Sequence, residues 1–348
     1  MNANPPRALV TGGSGYFGSL LRDRLRSRGT TVRSFDLVDA TDRPPEVEFA
    51  AGDIRDADAV AAACRECATV YHCVAQVPLA KDRALFESVN RRGTEVLLGA
   101  AQAAGASKVI YVSSSAVYGA PNTNPVTEAT PPAPAEDYGR AKLAGESLCH
   151  EFAARGLDVT IVRPRTIIGH GRLGIFQILF EWIRTGYNVP VLGDGANLYQ
   201  FVHADDLADA CILAAARPGA TTYNCGAAEF GTMREALTHL CAHAGTGSRV
   251  RRVPFAPAVF AMNAASGLGL SPLGPYHALM YGRSMFFDIT KARHELGWQP
   301  RYSNQAMLSQ SYDWYVAHRD EVLRAHAAAS HHRSAVKQGV LALAKYLL

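Results

Sequence analysis

The chain has 348 residues, of which 48% are hydrophobic and 19% charged, and its 35 basic and 31 acidic residues leave a formal net charge of +4. That length and apolarity suffice to bury a real core, as one large domain or two small ones. The charge balance is too mild for a nucleic-acid binder, and no stretch makes a convincing membrane-spanning helix.

The opening "MNANPPRALVTGG" runs straight into a strand pattern and lacks the apolar core of a signal peptide. Seven scattered cysteines read as reduced, buried thiols, so a cytoplasmic location is expected. Cys64 and Cys67 form a CxxC, but the spacing puts both on one predicted helix with no fourth ligand nearby, and no metal is expected.

Through the first 165 residues, apolar β-branched runs alternate with helix-length segments. Strands are predicted at 8–11, 31–36, 47–53, 69–75, 108–114 and 158–164. Helices are predicted at 16–28, 56–66, 81–104 and 137–155. Such alternation gives an α/β fold, a doubly wound parallel sheet covered on both faces. Residues 166–330, with helices near 174–186, 205–216 and 232–244, offer too few strands for a sheet of their own. They are expected to form a smaller mixed substrate lobe interleaved with the first domain. Asp205 and Asp206 open a helix, where carboxylates favour the dipole. Val253 to Gly282 carries no charged side chain, and the tail 331–348 repeats apolar residues on one helical face. Either is a candidate for peripheral membrane contact.

"ALVTGGSGYFGSLL" places Gly12, Gly15 and Gly18 between a strand and a helix. Gly12 permits the tight turn, Gly15 a close approach to a pyrophosphate, and Gly18 close packing of helix on strand. Tyr16 and Phe17 lie in the same turn. Asp36 ends the next strand, where a carboxylate accepts hydrogen bonds from an adenosine ribose and repels a 2′-phosphate. NAD is therefore expected, with NADP kept open by Arg33 nearby. Asp53, followed by Ile54, ends the third strand within reach of an adenine amino group, and Asp56 is the better cap for the helix after it.

Farther on, Ser113, Ser114 and Ser115 end a strand, and Tyr138 and Lys142 follow at i, i+4, on one helical face. An ammonium and a cationic nicotinamide would lower a phenol's pKa, so Tyr138 could exchange a proton with a substrate alcohol while a strand-end serine holds the same oxygen.

With these motifs the chain resembles the short-chain dehydrogenase/reductase superfamily in its extended, epimerase/dehydratase branch, which has a Rossmann-type sheet. The matching stretches are TGGxGxxG at 11–18, Asp36, GDxxD at 52–56, "YHCVA", Asn90, SSxxVYG at 113–119, YxxxK at 138–142, RP at 163–164 and "FDITKARHELGWQP" at 287–300. The resemblance implies Ser114 as the catalytic serine, with Ser113 nearer the nicotinamide. It implies Ala75, Asn90, Pro164, Tyr138 and Lys142 as cofactor contacts, Tyr118 as a substrate-pocket residue, and a homodimer through the helices 81–104 and 137–155.

Within this branch the substrate is in question. Members acting on nucleotide sugars usually carry an asparagine where Thr166 stands and a diphosphate-binding arginine where Tyr199 stands. Arg283 lacks their late carboxylate spacing. Ser115 and Ala116 replace the acidic pair of dehydratases. The pattern thus sits closest to 3β-hydroxysteroid dehydrogenases. It implies a hydrophobic, sterol-like alcohol or ketone, with Ser114, Tyr118, Thr166 and Tyr199 facing it. A nucleotide-sugar 4-epimerase using the same residues is the alternative, favoured if Arg165, Arg172 or Arg283 converges beside Tyr199.

Overall fold

The computed structural model describes residues 7–76, 83–172, 175–268, 281–324 and 345–346. The first half alternates as its periodicity predicts. It runs β1 (Arg7–Thr11), α1 (Tyr16–Ser27), β2 (Thr31–Asp36), β3 (Glu48–Ala51), α2 (Ala57–Cys64), β4 (Cys67–His72), α3 (Gly93–Ala103), β5 (Lys108–Val112), α4 (Asp137–Ala154) and β6 (Val159–Pro164). The second half continues with β7 (Thr166–Ile168), α5 (Ile175–Arg184), β8 (Val189–Leu192), β9 (Leu198–Tyr199), β10 (Phe201–His203), α6 (Ala204–Ala216), β11 (Thr221–Cys225), β12 (Gly231–Thr232), α7 (Met233–Ala244), β13 (Val250–Val253), α8 (Phe255–Gly267), α9 (Thr290–Leu296) and α10 (Asn304–Arg324).

Seven parallel strands form one sheet in the order β11-β6-β5-β4-β1-β2-β3. Successive residues of a strand face opposite sides. Leu9 accordingly joins Phe35, Leu97 and Phe152 on one face, while Ala8 and Val10 join Leu21, Leu207 and Ala210 on the other. The lobe has its own core around Phe176, Phe180, Trp182, Tyr199 and Leu240. The two halves interleave: β11 pairs with β6, and α6 packs against α1. The lobe's remaining strands pair only two by two, as β7 with β10, β8 with β13 and β9 with β12.

Two local expectations need correcting. Cys64 ends α2 while Cys67 begins β4, because Glu66 takes a left-handed backbone (φ 61°) and turns the chain between them. The predicted helix 81–104 is not uniform, since Phe86–Arg92 is wound as a π-helix before α3 begins. Within the uncharged segment, α8 has no buried residue and Phe260 is 77% exposed, whereas Tyr281 packs on the core of the lobe. Positions 269–280 of that segment lie outside the described residues, as does the predicted tail apart from Lys345 and Tyr346, which pack on Tyr187.

At the centre of the sheet, His72 is fully buried between two threonines, with Nδ1 2.8 Å from Thr11 Oγ1 and Nε2 3.1 Å from Thr94 Oγ1. Thr94 gives its own proton to the Asn90 carbonyl (2.8 Å). His72 Nε2–H must therefore donate to Thr94, and Nδ1 accepts from Thr11. Burial pushes this imidazole from 6.5 down to about 3, with the Lys142 charge adding to the effect. The folded pKa lies below the unfolded one, so the unfolded chain binds the extra proton. Stability should then fall as pH drops below about 6.5 and level off near 3. Urea unfolding at pH 7 and pH 4 should show a loss of about 3 kcal/mol from this group. A His72→Gln variant should lack that share, and an equal loss in the variant would refute the assignment.

Candidate active site

The glycine turn after β1 is shaped by close contacts. Gly12 has φ +71°, in the left-handed region, and a side chain on Gly18 would run into the Gly12 carbonyl oxygen. Helix α1 opens at Gly15 without a side-chain cap, and no acidic residue stands in its first turn. Its free N–H groups and dipole therefore favour an anion at that end. Tyr16, Phe17 and Ile54 are buried, with Ile54 packed against Gly93. Asp36 accepts from the Ser14 and Leu37 N–H groups (3.0 and 2.8 Å), and burial raises its pKa. Arg33 is drawn away from this carboxylate: its Nε binds Glu48 (2.8 Å) and its Nη1 binds the Ala63 and Arg65 carbonyls. No cation is thereby offered from Arg33 to a 2′-phosphate. Asp53 is engaged by Arg55, through its N–H (2.9 Å) and its guanidinium, while Asp56 caps α2. These features fit a dinucleotide whose ribose 2′-hydroxyl is free.

Asn90 holds the backbone of Gln76 at both ends, accepting from its N–H (2.7 Å) and donating to its carbonyl (3.0 Å). It thereby fixes the segment after β4 that contains the half-buried Ala75.

The catalytic candidates converge from β5 and α4. Ser114 accepts from the Ala116 N–H (3.1 Å) at the start of a single 3-10 turn, close enough to the Tyr138 phenol to favour its ionised form. Glu136 caps α4 by accepting from the N–H groups of Tyr138 (2.8 Å) and Gly139 (2.7 Å), which sets Tyr138 in the first turn. Lys142, one turn on, donates to the Val112 carbonyl (2.8 Å) and lies over the Tyr111 ring. Burial pushes Lys142 down to about 8, against the upward pull of Cys73 and Glu146. Burial also pushes Tyr138 up to about 12. The groups pulling it back down are Ser114, by hydrogen bond, and Arg172, by charge. Arg172 is thus an electrostatic neighbour of the phenol that the Tyr/Lys spacing does not reveal.

Behind this pair lies a buried network. Glu146, a further turn along α4, is gripped by Arg163 through Nε (2.8 Å) and Nη2 (2.6 Å) and accepts from the Ser113 hydroxyl (2.5 Å). Arg163 Nη1 donates to the Tyr118 hydroxyl (2.6 Å), which also reaches Asn224 and the Thr127 carbonyl. Tyr118, expected in the substrate pocket, is instead 1% exposed, because its hydroxyl closes this network and its ring packs edge-on to Phe287. The Tyr138, Lys142, Glu146 progression at i, i+4, i+8 was the available signal for Glu146. Pro164 pairs with Cys225 at the edge of the same region.

In the lobe, Thr166 and Tyr199 hydrogen-bond each other (2.6 Å). Tyr199 is fully buried and stacks on Tyr281, and the Arg165 guanidinium lies 4.7 Å over its ring. Arg165 therefore converges on the position in question, whereas Arg283 is exposed. Among the described residues His170, His203 and Asp205 lie close enough for a metal, but His203 Nε2 is engaged with Gln310 and Nδ1 accepts from the Asp205 N–H.

Replacing Glu146 by Gln leaves Arg163 with an uncompensated buried charge and should destabilise the protein by about 3 kcal/mol or more. In chemical denaturation a Glu146→Leu/Arg163→Met double variant should be closer to wild type than either single variant. Additive losses would show that the pair is not coupled.

Comparison with known proteins bears on the family and the fold. Residues 8–226 match the NAD dependent epimerase/dehydratase family. The chain is 56% identical to the uncharacterized protein y4nG of Sinorhizobium fredii, over 98% of this chain and 86% of that one. It is 28% identical to a UDP-glucose 4-epimerase of Mycolicibacterium smegmatis, over 89% and 98%. It is 29% identical to a 3 beta-hydroxysteroid dehydrogenase/Delta 5-->4-isomerase of Mycobacterium tuberculosis, over 89% and 90%. Among solved structures, the fold is similar to UDP-glucose 4-epimerase of Thermotoga maritima (TM-score 0.76, 24% identity, 89% and 99% covered). It is also similar to the Thermus thermophilus UDP-glucose 4-epimerase in complex with NAD (TM-score 0.73, 26% identity, 89% and 99% covered). The chain belongs to the NAD dependent epimerase/dehydratase family.

Proposed function

We propose that this protein interconverts a secondary alcohol and a ketone with NAD, on a substrate with a hydrophobic body, in the manner of the hydroxysteroid dehydrogenase relatives. The observation that carries the reading is the convergence of Ser114 and Lys142 on the buried Tyr138 phenol: Ser114 follows β5 and favours its ionised form, and Lys142 follows one helical turn on. NAD, when bound, accepts or returns the hydride. The glycine turn and the α1 N-terminus would hold its phosphates and Asp36 its adenosine ribose. Tyr138 takes the alcohol proton in oxidation and returns it in reduction, and Ser114 orients the same oxygen. Lys142, fixed on the Val112 carbonyl, holds positive charge beneath the site. With the phenol at about 12 in the protein alone, oxidation is expected to quicken as pH rises above neutrality.

Purified protein incubated with NAD should reduce it on hydroxysteroids, read by nicotinamide absorbance. The place of Arg165 over Tyr199 supports a nucleotide-sugar 4-epimerase as the second reading, and interconversion of uridine-diphosphate sugars without net reduction would decide for it. Tyr138→Phe should lower kcat at least about 100-fold while NAD still binds. Retained turnover would remove Tyr138 as the acid/base.

We also propose that α8 rests on an anionic lipid surface. It has no buried residue, Phe260 and Leu268 are 77% and 73% exposed, and Arg249, Arg251 and Arg252 are exposed just before it. No acidic residue occurs between Glu235 and Asp288. Exposed apolar side chains beside cations suit the headgroup boundary of a bilayer. No helix among the described residues is long and apolar enough to cross one. Full-length protein should co-sediment with phosphatidylglycerol-containing vesicles, less so with phosphatidylcholine alone, and Phe260→Ser should weaken this several-fold. Absence of vesicle binding, with α8 instead required for self-association in light scattering, would overturn it.

A further inference from the structure

Two arginines stand one residue apart at the end of β6, and both are buried. Arg163 is 5% exposed and Arg165 is 1% exposed. Arg163 presents the edge formed by Nε and Nη2 to the two oxygens of Glu146. Arg24 presents the same edge to Asp209, and Arg43 to Asp39. That edge is the guanidinium's two-pronged match for a carboxylate or phosphate.

Arg165 is held differently. Its Nη1 donates to the Ser115 hydroxyl (2.9 Å) and lies 3.3 Å from the Met285 sulfur. Its plane lies over the rings of Tyr199 (4.7 Å) and Phe287 (5.7 Å). Nε and Nη2 are both buried and have no hydrogen-bond partner. So one end and the flat surface of the group are fixed, and the edge that takes an anion elsewhere in this protein is left without one. A buried charge with unmet donors is costly, and a ligand that supplies the missing oxygens offsets that cost.

The location says which ligand. Ser115, which holds Arg165 Nη1, adjoins Ser114, the neighbour that favours the ionised Tyr138 phenol. Arg165 and Arg172 both act on Tyr281, and Arg172 acts on Tyr138 as well. We infer that Arg165 is a substrate-binding residue that receives an anionic group, a carboxylate or a phosphate, on the molecule whose alcohol or ketone Tyr138 serves. The inference rests on reading Ser114 and Tyr138 as the reacting site. It adds that the preferred substrate carries an anionic group, as an acid with a hydrophobic body or a phosphorylated compound, so that neutral hydroxysteroids serve only as weaker substrates.

The test uses the full chain loaded with NAD and three probes: a 3-hydroxysteroid bearing a carboxylic acid side chain, its methyl ester, and uridine diphosphate. The thermal midpoint is read with each probe at equal concentration. In the wild type, the acid or the diphosphate should raise the midpoint by several degrees more than the neutral ester. Which of the two does so separates the carboxylate from the phosphate source. Arg165→Met, which keeps an apolar stem between Tyr199 and Phe287, should abolish the difference. Arg165→Lys, which keeps the charge without the two-nitrogen edge, should retain only part of it. NAD affinity reports separately that each variant is folded, and the lysine variant decides the matter if the methionine variant does not fold. No preference for either anion in the wild type, or an undiminished preference in Arg165→Met, would overturn the inference. A Tyr138→Phe protein should still show the preference, so failure of the alcohol–ketone reading would leave this result standing on its own.

Discussion

The arrangement of the site depends on one buried carboxylate. Glu146 is 1% exposed in its side chain, and Arg163 is 6% exposed. Two charges withdrawn from water this far are tolerable only where geometry is good and the remaining hydrogen-bond capacity is filled. Here both conditions are met. Arg163 binds both oxygens, the Ser113 hydroxyl takes one of them, and Nη1 passes to Tyr118. Glu146 lies on the helix that presents Tyr138 and Lys142, Ser113 precedes Ser114, and Arg163 belongs to the neighbouring strand. Three segments far apart in the chain are thereby brought into fixed register at one side chain. Lys142 gains from the same arrangement, since Glu146 pulls its pKa upward against burial and favours its charged form.

The cofactor half works in the reverse way. There the charges are placed by keeping others away. Arg33 and Asp36 belong to the same short strand, yet alternation sends the Arg33 side chain toward Glu48 and the end of α2. Asp36 remains beside the glycine turn with only backbone N–H groups on it. A sequence shows the nearness of Arg33 to Asp36 but not the direction of either side chain, so the choice between NAD and NADP needed the strand in its sheet.

That difference describes what was legible throughout. The alternation of strands and helices, Gly12 at a positive φ, and Tyr138 with Lys142 on one helical face all follow from local periodicity, and the fold retains them. The site residues that depend on distant partners were not legible. Tyr118 reads as a pocket residue until Arg163 and Asn224 claim its hydroxyl. Asn90 gives no sign in the sequence that it braces Gln76. Cys64 and Cys67 share a helix on spacing alone, and a single left-handed residue between them overrides that. Arg165 was one of three arginines with an equal claim on Tyr199, and only the packing of its plane on that ring distinguishes it.

The interleaving of the two halves has a consequence for how the molecule is made. The outermost strand of the main sheet, β11, comes from residues 221–225, and Asn224 within it meets Tyr118. Phe287 packs against Tyr118 and Arg165 from later still. A nascent chain that has emerged only through residue 165 has β6 as a bare edge and an incomplete set of partners behind α4. Such an edge is an open template for pairing with other chains. The first half is therefore not a detachable cassette to which a different lobe could be spliced at 165. Synthesis has to proceed past Phe287 before the cofactor half itself is finished, and until then its exposed strand is in need of shielding on the ribosome.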